Sequence, residues 1–269
     1  MIGEKPKYIN TGDTPIFTKG KEVFGLYEAR RSIQEKKRVI VVEGQMDTIQ
    51  LSQAGFGESC APLGTAIRAE HVERLLKMTD HIIFSFDGDT AGRKAALRAM
   101  DICVPLLEDA QKAVFVFLPE GEDPDSLVKN QGPEAFEKLI SQGLPLSSYL
   151  IESTSRGLDL SVLEDKGAFL DAAVPYIRKT KSVLLRDGLI ERIATAAGYK
   201  DTDQLARYFG FEKVAPIAPR LSGFRNGASS RFGKGGVGAR RFSTPSSGKT
   251  HPPKPETPIF VLLRNFLRY

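Results

Sequence analysis

Hydrophobic positions divide the chain into stretches of different period. Between residues 38 and 118, short apolar runs alternate with amphipathic segments. Arg38–Val42 (RVIVV), Ser59–Leu63, His81–Phe86 and Ala113–Leu118 (AVFVFL) predict strands. Met46–Gln53, Ala69–Met78 and Arg93–Leu107 predict the intervening helices, with Pro105 near the end of the last. Strands alternating with helices argue for an α/β fold with a parallel, doubly wound sheet. Runs apolar on both faces fit strands covered on both sides by helices. Upstream, Lys21–Gln34 sets Val23, Leu26, Tyr27, Arg30 and Ile33 roughly on one face and predicts a helix. After Asp125 the strand signals stop. Pro133–Ser141, Leu146–Ser155, Glu164–Arg178, Val183–Ala197 and Asp203–Phe209 predict a helical subdomain. From Val214 to Pro258 the periodicity vanishes and Gly, Ser, Pro and Arg dominate, which predicts a disordered basic linker. Ile259–Leu267 (IFVLLRNFL) closes the chain with a short apolar segment.

Composition adds one asymmetry. The formal net charge is +5. Residues 213–269 carry eleven Lys/Arg and one acid, Glu256, a net of +10, so residues 1–212 stand at −5. A basic tail on an acidic body suggests a polyanionic partner, with a solvated solubility tail as the plain alternative. Arginine and phenylalanine alternate within it at Phe224-Arg225, Arg231-Phe232 and Arg240-Arg241-Phe242, pairs that can stack on bases and hold phosphates. No stretch of about 18 apolar residues exists, so no membrane partner is expected. The N-terminus lacks the apolar core of a secretory signal. Cys60 and Cys103 form no CxxC pair and the three histidines are scattered, so no structural zinc is expected in this chain. The compartment expected is a reducing cytoplasm.

The candidate chemistry lies in the acids that follow the predicted strands. In a doubly wound parallel sheet the functional crevice lies beyond the carboxyl ends of the strands. Glu43 follows the first strand, with Asp47 one helical turn later. Asp87 and Asp89, in DGD, follow the third. Asp123 and Asp125, in GEDPD, follow the fourth. Six carboxylates from four segments could meet at one sheet edge. Without partners they would repel and some would protonate. A divalent cation resolves that conflict. Mg²⁺ takes oxygen ligands from one or two carboxylates, keeps waters and bridges phosphate oxygens. Two such ions can clamp the attacking and leaving oxygens of an in-line phosphoryl displacement. Gly88 permits a tight path between the two aspartates. An Asp-x-Asp before a helix can also be plain N-capping, but three acidic segments in matching positions weigh against capping alone. Arg93 and Lys94, on the helix after DGD, are either surface charges or phosphate contacts.

These residues, in this order, resemble the TOPRIM fold, whose pattern is Glu-Gly after the first strand and Asp-x-Asp after the third. Here these are Glu43-Gly44 and Asp87-Gly88-Asp89. The match is nearer to bacterial DnaG-type primases than to topoisomerases or nucleases of that fold. EGQMD resembles the primase EGYMD. PLGTAIRAEH, with Leu63, Gly64, Thr65 and His71, resembles the primase SLGT stretch that ends in histidine. FDGDTAGRKAALRA, FLPEGEDPDSLV and KYINTGDTPIFTKGKEVFGLYEA extend the similarity from about Gly3 to Phe211.

The resemblance implies template-directed synthesis of short RNA primers from NTPs on single-stranded DNA. It implies Mg²⁺, or Mn²⁺, held by Glu43, Asp87, Asp89, Asp123 and Asp125. Glu43, Asp87 and Asp89 would be catalytic, with Glu43 the acid/base group. Lys7, Tyr8, Lys19, Asp47 and Arg93 would position nucleotide or template. The replicative helicase is the expected protein partner. The domain reading is a lead-in over 1–36, TOPRIM over 37–125, helices over 126–212, basic linker over 213–258 and the start of a helicase-binding domain over 259–269. Primases of this family carry a zinc-binding module and a further α/β half ahead of the PKYIN stretch. Neither is matched here, so the chain is expected to be a truncated or excised product. Two alternatives stay open: a non-polymerising fragment that binds metal, nucleotide or single-stranded DNA, and a TOPRIM nuclease.

Overall fold

The structure, a computed structural model, describes Thr14, residues 18–63 and residues 66–211; of Lys19 only the backbone is described. The predicted linker over 213–258 and the segment over 259–269 lie outside the described residues.

Four parallel strands form the centre of the sheet: β2 (Val39–Val41), β3 (Ser59–Pro62), β4 (His81–Phe86) and β5 (Lys112–Phe117). Two short antiparallel strands flank them, β1 (Val23–Phe24) beside β3 and β6 (Leu144–Pro145) beside β5. The order across the sheet is β1-β3-β2-β4-β5-β6. Successive side chains alternate between faces, so Val39 and Val41 of β2 join one core while Ile40 and Val42 join the other. In β4, Ile82, Phe84 and Phe86 enter the first core and Ile83 the second. That two-sided demand is why β2 and β4 read as apolar runs.

Helices cover both faces. The first carries α1 (Leu26–Lys36), α3 (Ala69–Leu76) and α4 (Thr90–Cys103). The second carries α2 (Gln45–Gln53), α5 (Pro124–Gln131) and α6 (Pro133–Ser141), through Leu51, Leu127, Phe136 and Ile140. Then follow α7 (Leu146–Thr154), α8 (Leu163–Lys179), α9 (Val183–Ala197) and α10 (Thr202–Tyr208). These helices extend the first core rather than building one of their own. Tyr149 of α7 stacks on Phe115 of β5 at 4.7 Å between ring centres, and Phe84, Phe86 and Phe117 continue the array. Tyr149, Phe84 and Phe115 are almost wholly buried, and burial of each such ring contributes about 1.5–3 kcal/mol.

Three expectations need correction. The predicted helix Lys21–Gln34 begins only at Leu26. Gly25 takes a left-handed φ of 75° and separates the strand residues Val23–Phe24 from α1. The face that α1 buries is Leu26, Ala29 and Ile33, while Tyr27 and Arg30 point outward. Strands do not stop at Asp125, because β6 returns to pair with β5. The helix predicted over Arg93–Leu107 runs instead over Thr90–Cys103, capped by Asp89, and Pro105 falls beyond its end.

Candidate active site

The strand order places the acids before any side chain is considered. The chain moves outward from β2 to β3, then crosses back to β4 on the other side of β2. The carboxyl ends of β2 and β4 therefore form a switch point, where crevices open in such sheets. Val41 pairs with Phe84, so Glu43, two residues on, and Asp87, three residues on, leave the edge side by side. Phe86 pairs with Phe117, which brings the β5–α5 connection past Asp87 and Gly88. That passage is close. A Cβ on Gly88 would lie 2.4 Å from the Leu118 carbonyl oxygen and 2.5 Å from that of Pro119. Gly92, one turn into α4, approaches the Asp87 carbonyl oxygen equally tightly, at 2.3 Å from a built Cβ. Glycine is needed at both places for space.

Lost hydration and mutual repulsion raise the pKa of three of these carboxylates. Asp87 is pushed up to about 6, chiefly by lost hydration and then by Glu43, Asp123 and Asp89. Asp47 is likewise pushed up to about 6, by lost hydration and then by Asp123 and Asp87. The Gly44 backbone N–H, donating to Asp47 Oδ2 at 3.1 Å, offsets part of that rise. Glu43 reaches solvent, yet its pKa is also raised, by desolvation first and by Asp89 and Asp47 after it; the Asp87 N–H works against them. Negative charge from the ends of β2, β4 and β5 is thus concentrated without a compensating cation among the protein groups named.

The predicted acids differ in how free they are. Asp89 is the N-cap of α4, and its Oδ1 accepts from the Gly92 N–H at 2.7 Å. Asp123 is the N-cap of α5, and its Oδ1 accepts from Ser126 N–H at 2.7 Å. In each, Oδ1 takes the cap bond, so capping leaves Oδ2 outside it. Asp125 is committed further. Its Oδ2 accepts from Lys129 Nζ at 2.7 Å, and its Oδ1 is buried without a hydrogen-bond partner. Arg93 is exposed and holds its guanidinium over the Phe117 ring, 5.3 Å from the centroid, at the same edge. Lys7 and Tyr8 lie outside the described residues.

Sequence reasoning overlooked Arg98. A cavity of about 350 Å³ opens beneath the edge, walled by Glu43, Pro62, Phe84 and Phe86 and by Ala91, Ala95 and Arg98 of α4. Positions 91, 95 and 98 recur at helical spacing, so the register of α4 contained that signal.

The donors fit a hard divalent cation: all are oxygens, crowded and incompletely neutralised. Among the described residues no three His, Cys, Asp or Glu side chains form a ready-made cage. That arrangement suits an ion held by one or two carboxylates together with water and phosphate.

A parallel sheet with an acidic switch point of this kind defines a Toprim domain, and the family model of that description matches residues 37–117. A second model, the DnaB-helicase binding domain of primase, matches residues 147–200, within the helical part. The DNA primase of Neisseria meningitidis serogroup B is 44% identical over 209 residues, covering 77% of this chain and 35% of that protein. The DNA primase of Escherichia coli K12 is 40% identical over 204 residues, covering 76% and 35%. The solved E. coli primase catalytic core is 40% identical with a TM-score of 0.70, covering 74% of this chain and 64% of that one. A DnaG primase catalytic domain bound to ssDNA gives 39% and 0.71, covering 75% and 64%. The chain belongs to the bacterial DnaG-type primases, and it spans about a third of the length of the curated relatives it matches.

Proposed function

We propose that this chain carries the nucleotidyl-transfer site of a primase, which joins NTPs into short RNA primers on a single-stranded DNA template. The observation that carries this reading is the convergence of Glu43, Asp47, Asp87, Asp89 and Asp123 at the β2/β4 switch point, with Asp47 and Asp87 both raised to about 6. Mg²⁺ or Mn²⁺, held by one or two of Glu43, Asp87, Asp89 and Asp123 together with water and phosphate, would supply the positive charge that phosphoryl transfer needs. The chain's own groups do the remaining work. The Asp89 cap fixes the start of α4, so Asp87 and Arg93 keep a set distance along the edge. Arg93, braced on Phe117, presents a cation to phosphate oxygens. Glu43, exposed and with a raised pKa, is placed to exchange a proton with a reacting hydroxyl.

Single-stranded DNA, NTPs and the replicative helicase are the partners of this reading. The helicase-binding family match over 147–200 and the likeness to an ssDNA-bound primase domain support it. A bacterial cytoplasmic location follows from that role, and among the described residues no helix is long and apolar enough to cross a membrane. The test is incorporation of labelled NTPs on a single-stranded template with Mg²⁺ or Mn²⁺, comparing the chain with its Asp87→Ala variant. Incorporation by the first and not the second is expected. Equal incorporation by both, or none by either, would contradict the proposal.

A further inference from the structure

Away from the acidic edge, α1 and α3 lie side by side over the first core, with a groove of about 480 Å³ between them. Its apolar wall is Leu26 and Met78. Its rims carry Tyr27, Arg30 and Gln34 from α1, Arg74 from α3 and Lys77, the C-cap of α3. Residues 27, 30 and 34 follow i, i+3, i+7 spacing, so α1 offers one polar stripe along the groove, faced by Arg74 and Lys77 at the end of α3.

Three cations and no carboxylate line this groove. Arg74 is held by Glu22 at 3.0 Å across an exposed pair. Arg30 and Lys77 are exposed and make no ion pair among the described residues. Tyr27 is 79% exposed, the highest exposure of any large apolar or aromatic side chain noted among the described residues, although it stands on a helix whose opposite face is fully packed. The chain up to residue 212 is net negative, so an unbalanced cationic stripe beside an uncovered aromatic ring goes against the body's prevailing charge. Cations spaced along a groove, with an aromatic face at its rim, are the components that hold single-stranded nucleic acid: phosphates on the cations and a base on the ring. An acidic peptide would use the cations but would not need the ring.

We propose that the α1/α3 groove is a contact surface for single-stranded nucleic acid, separate from the acidic edge, with Arg30 and Lys77 on phosphates and Tyr27 under a base. This rests on the functional reading above and extends it by placing part of the strand on a second face of the sheet.

The experiment uses the whole chain and a fluorescent oligothymidylate, titrated by anisotropy across a salt series. Variants are Tyr27→Ala and the double charge reversal Arg30→Glu/Lys77→Glu. A control reverses two exposed lysines elsewhere, Lys138→Glu/Lys179→Glu, which carry the same change in net charge. Tyr27→Ala should weaken binding by about fivefold or more. The groove reversal should weaken it more than the control and lower the slope of log K against log salt by about 1.4, the value for two phosphates on a single strand. A photoactivatable 4-thiothymidine strand should form an adduct on Tyr27. Wild-type affinity in both groove variants, or losses matched by the control pair, would overturn the groove while leaving the functional reading intact. Failure of the wild-type chain to bind the strand would overturn both. Preference for polyglutamate over oligothymidylate would overturn the choice of ligand and with it the proposal.

Discussion

Replacing Asp47 with asparagine should stabilise the metal-free protein, although it removes a residue of the candidate site. Asp47 is pushed from an ordinary 3.8 to about 6 by lost hydration and by Asp123 and Asp87. The folded state therefore holds the proton more tightly than the unfolded state. Between pH 3.8 and about 6 the stability contributed by this group falls as pH rises. The penalty is absent below 3.8 and complete above 6. That gap corresponds to at most about 3 kcal/mol. Partial solvent access and salt screening reduce it to about 1–2 kcal/mol. Asparagine keeps an oxygen for the Gly44 N–H, so the start of α2 should survive. At about 2–4 °C per kcal/mol for a folded unit of this size, the Tm should rise by about 2–8 °C at pH 7.5 in EDTA. The gain should fall to about half at pH 5 and to under a quarter at pH 4, because the wild-type carboxylate then takes up its proton. Thermal unfolding of both chains at the three pH values checks this. A variant less stable than wild type at pH 7.5, or a gain independent of pH, would refute the electrostatic account of the edge.

Two further outcomes follow from packing. Gly88→Ala should cost about 1–3 kcal/mol, because its Cβ would meet the backbone of Leu118 and Pro119 and one chain segment must shift; chemical denaturation measures this, and a neutral result would mean that the β5–α5 passage yields freely. Glu58 is fully buried and accepts from Lys36 at 2.8 Å and Arg38 at 3.0 Å. Glu58→Ala should therefore cost up to about 3 kcal/mol, held below the cost of a fully isolated buried charge because Arg38 keeps its bidentate pair with Glu137; a loss under 0.5 kcal/mol in the same assay, a figure of the order of a surface substitution, would count against that clamp.

How far the chain could be read in advance differs from element to element. Three of the four parallel strands, β2, β4 and β5, were legible because burial on both faces forces apolar runs, whereas β3 (SCAP) carries no such run and was placed by its position between helices. The two antiparallel edge strands were not legible, since two residues each carry no period, and the apparent register of Val23 with the helix beyond it was fortuitous across the turn at Gly25. The missed helix α5 had a readable start in Asp123-Pro124 with Ser126, where the Asp123 N–H donates to Ser126 Oγ and the Ser126 N–H to Asp123 Oδ1. In the site, Glu43 and Asp87 were legible from their places after strands. Their adjacency depends on the pairing of β2 with β4, which no local pattern contains. Asp125 was legible as an acid, and its pairing with Lys129 four residues on could have been read from helical spacing. The support of Arg93 by Phe117 joins residues from α4 and β5 and depends on the tertiary fold.

The central claim is that the acids at the β2/β4 switch point hold a divalent cation. Electron paramagnetic resonance of Mn²⁺ with the chain and with its Asp87→Asn and Glu43→Gln variants tests it most directly. Mn²⁺ should be bound by the chain, displaced by Mg²⁺, and bound at least tenfold more weakly by each variant with the fold unchanged. Binding of equal strength in all three, or no binding by the chain itself, would contradict it.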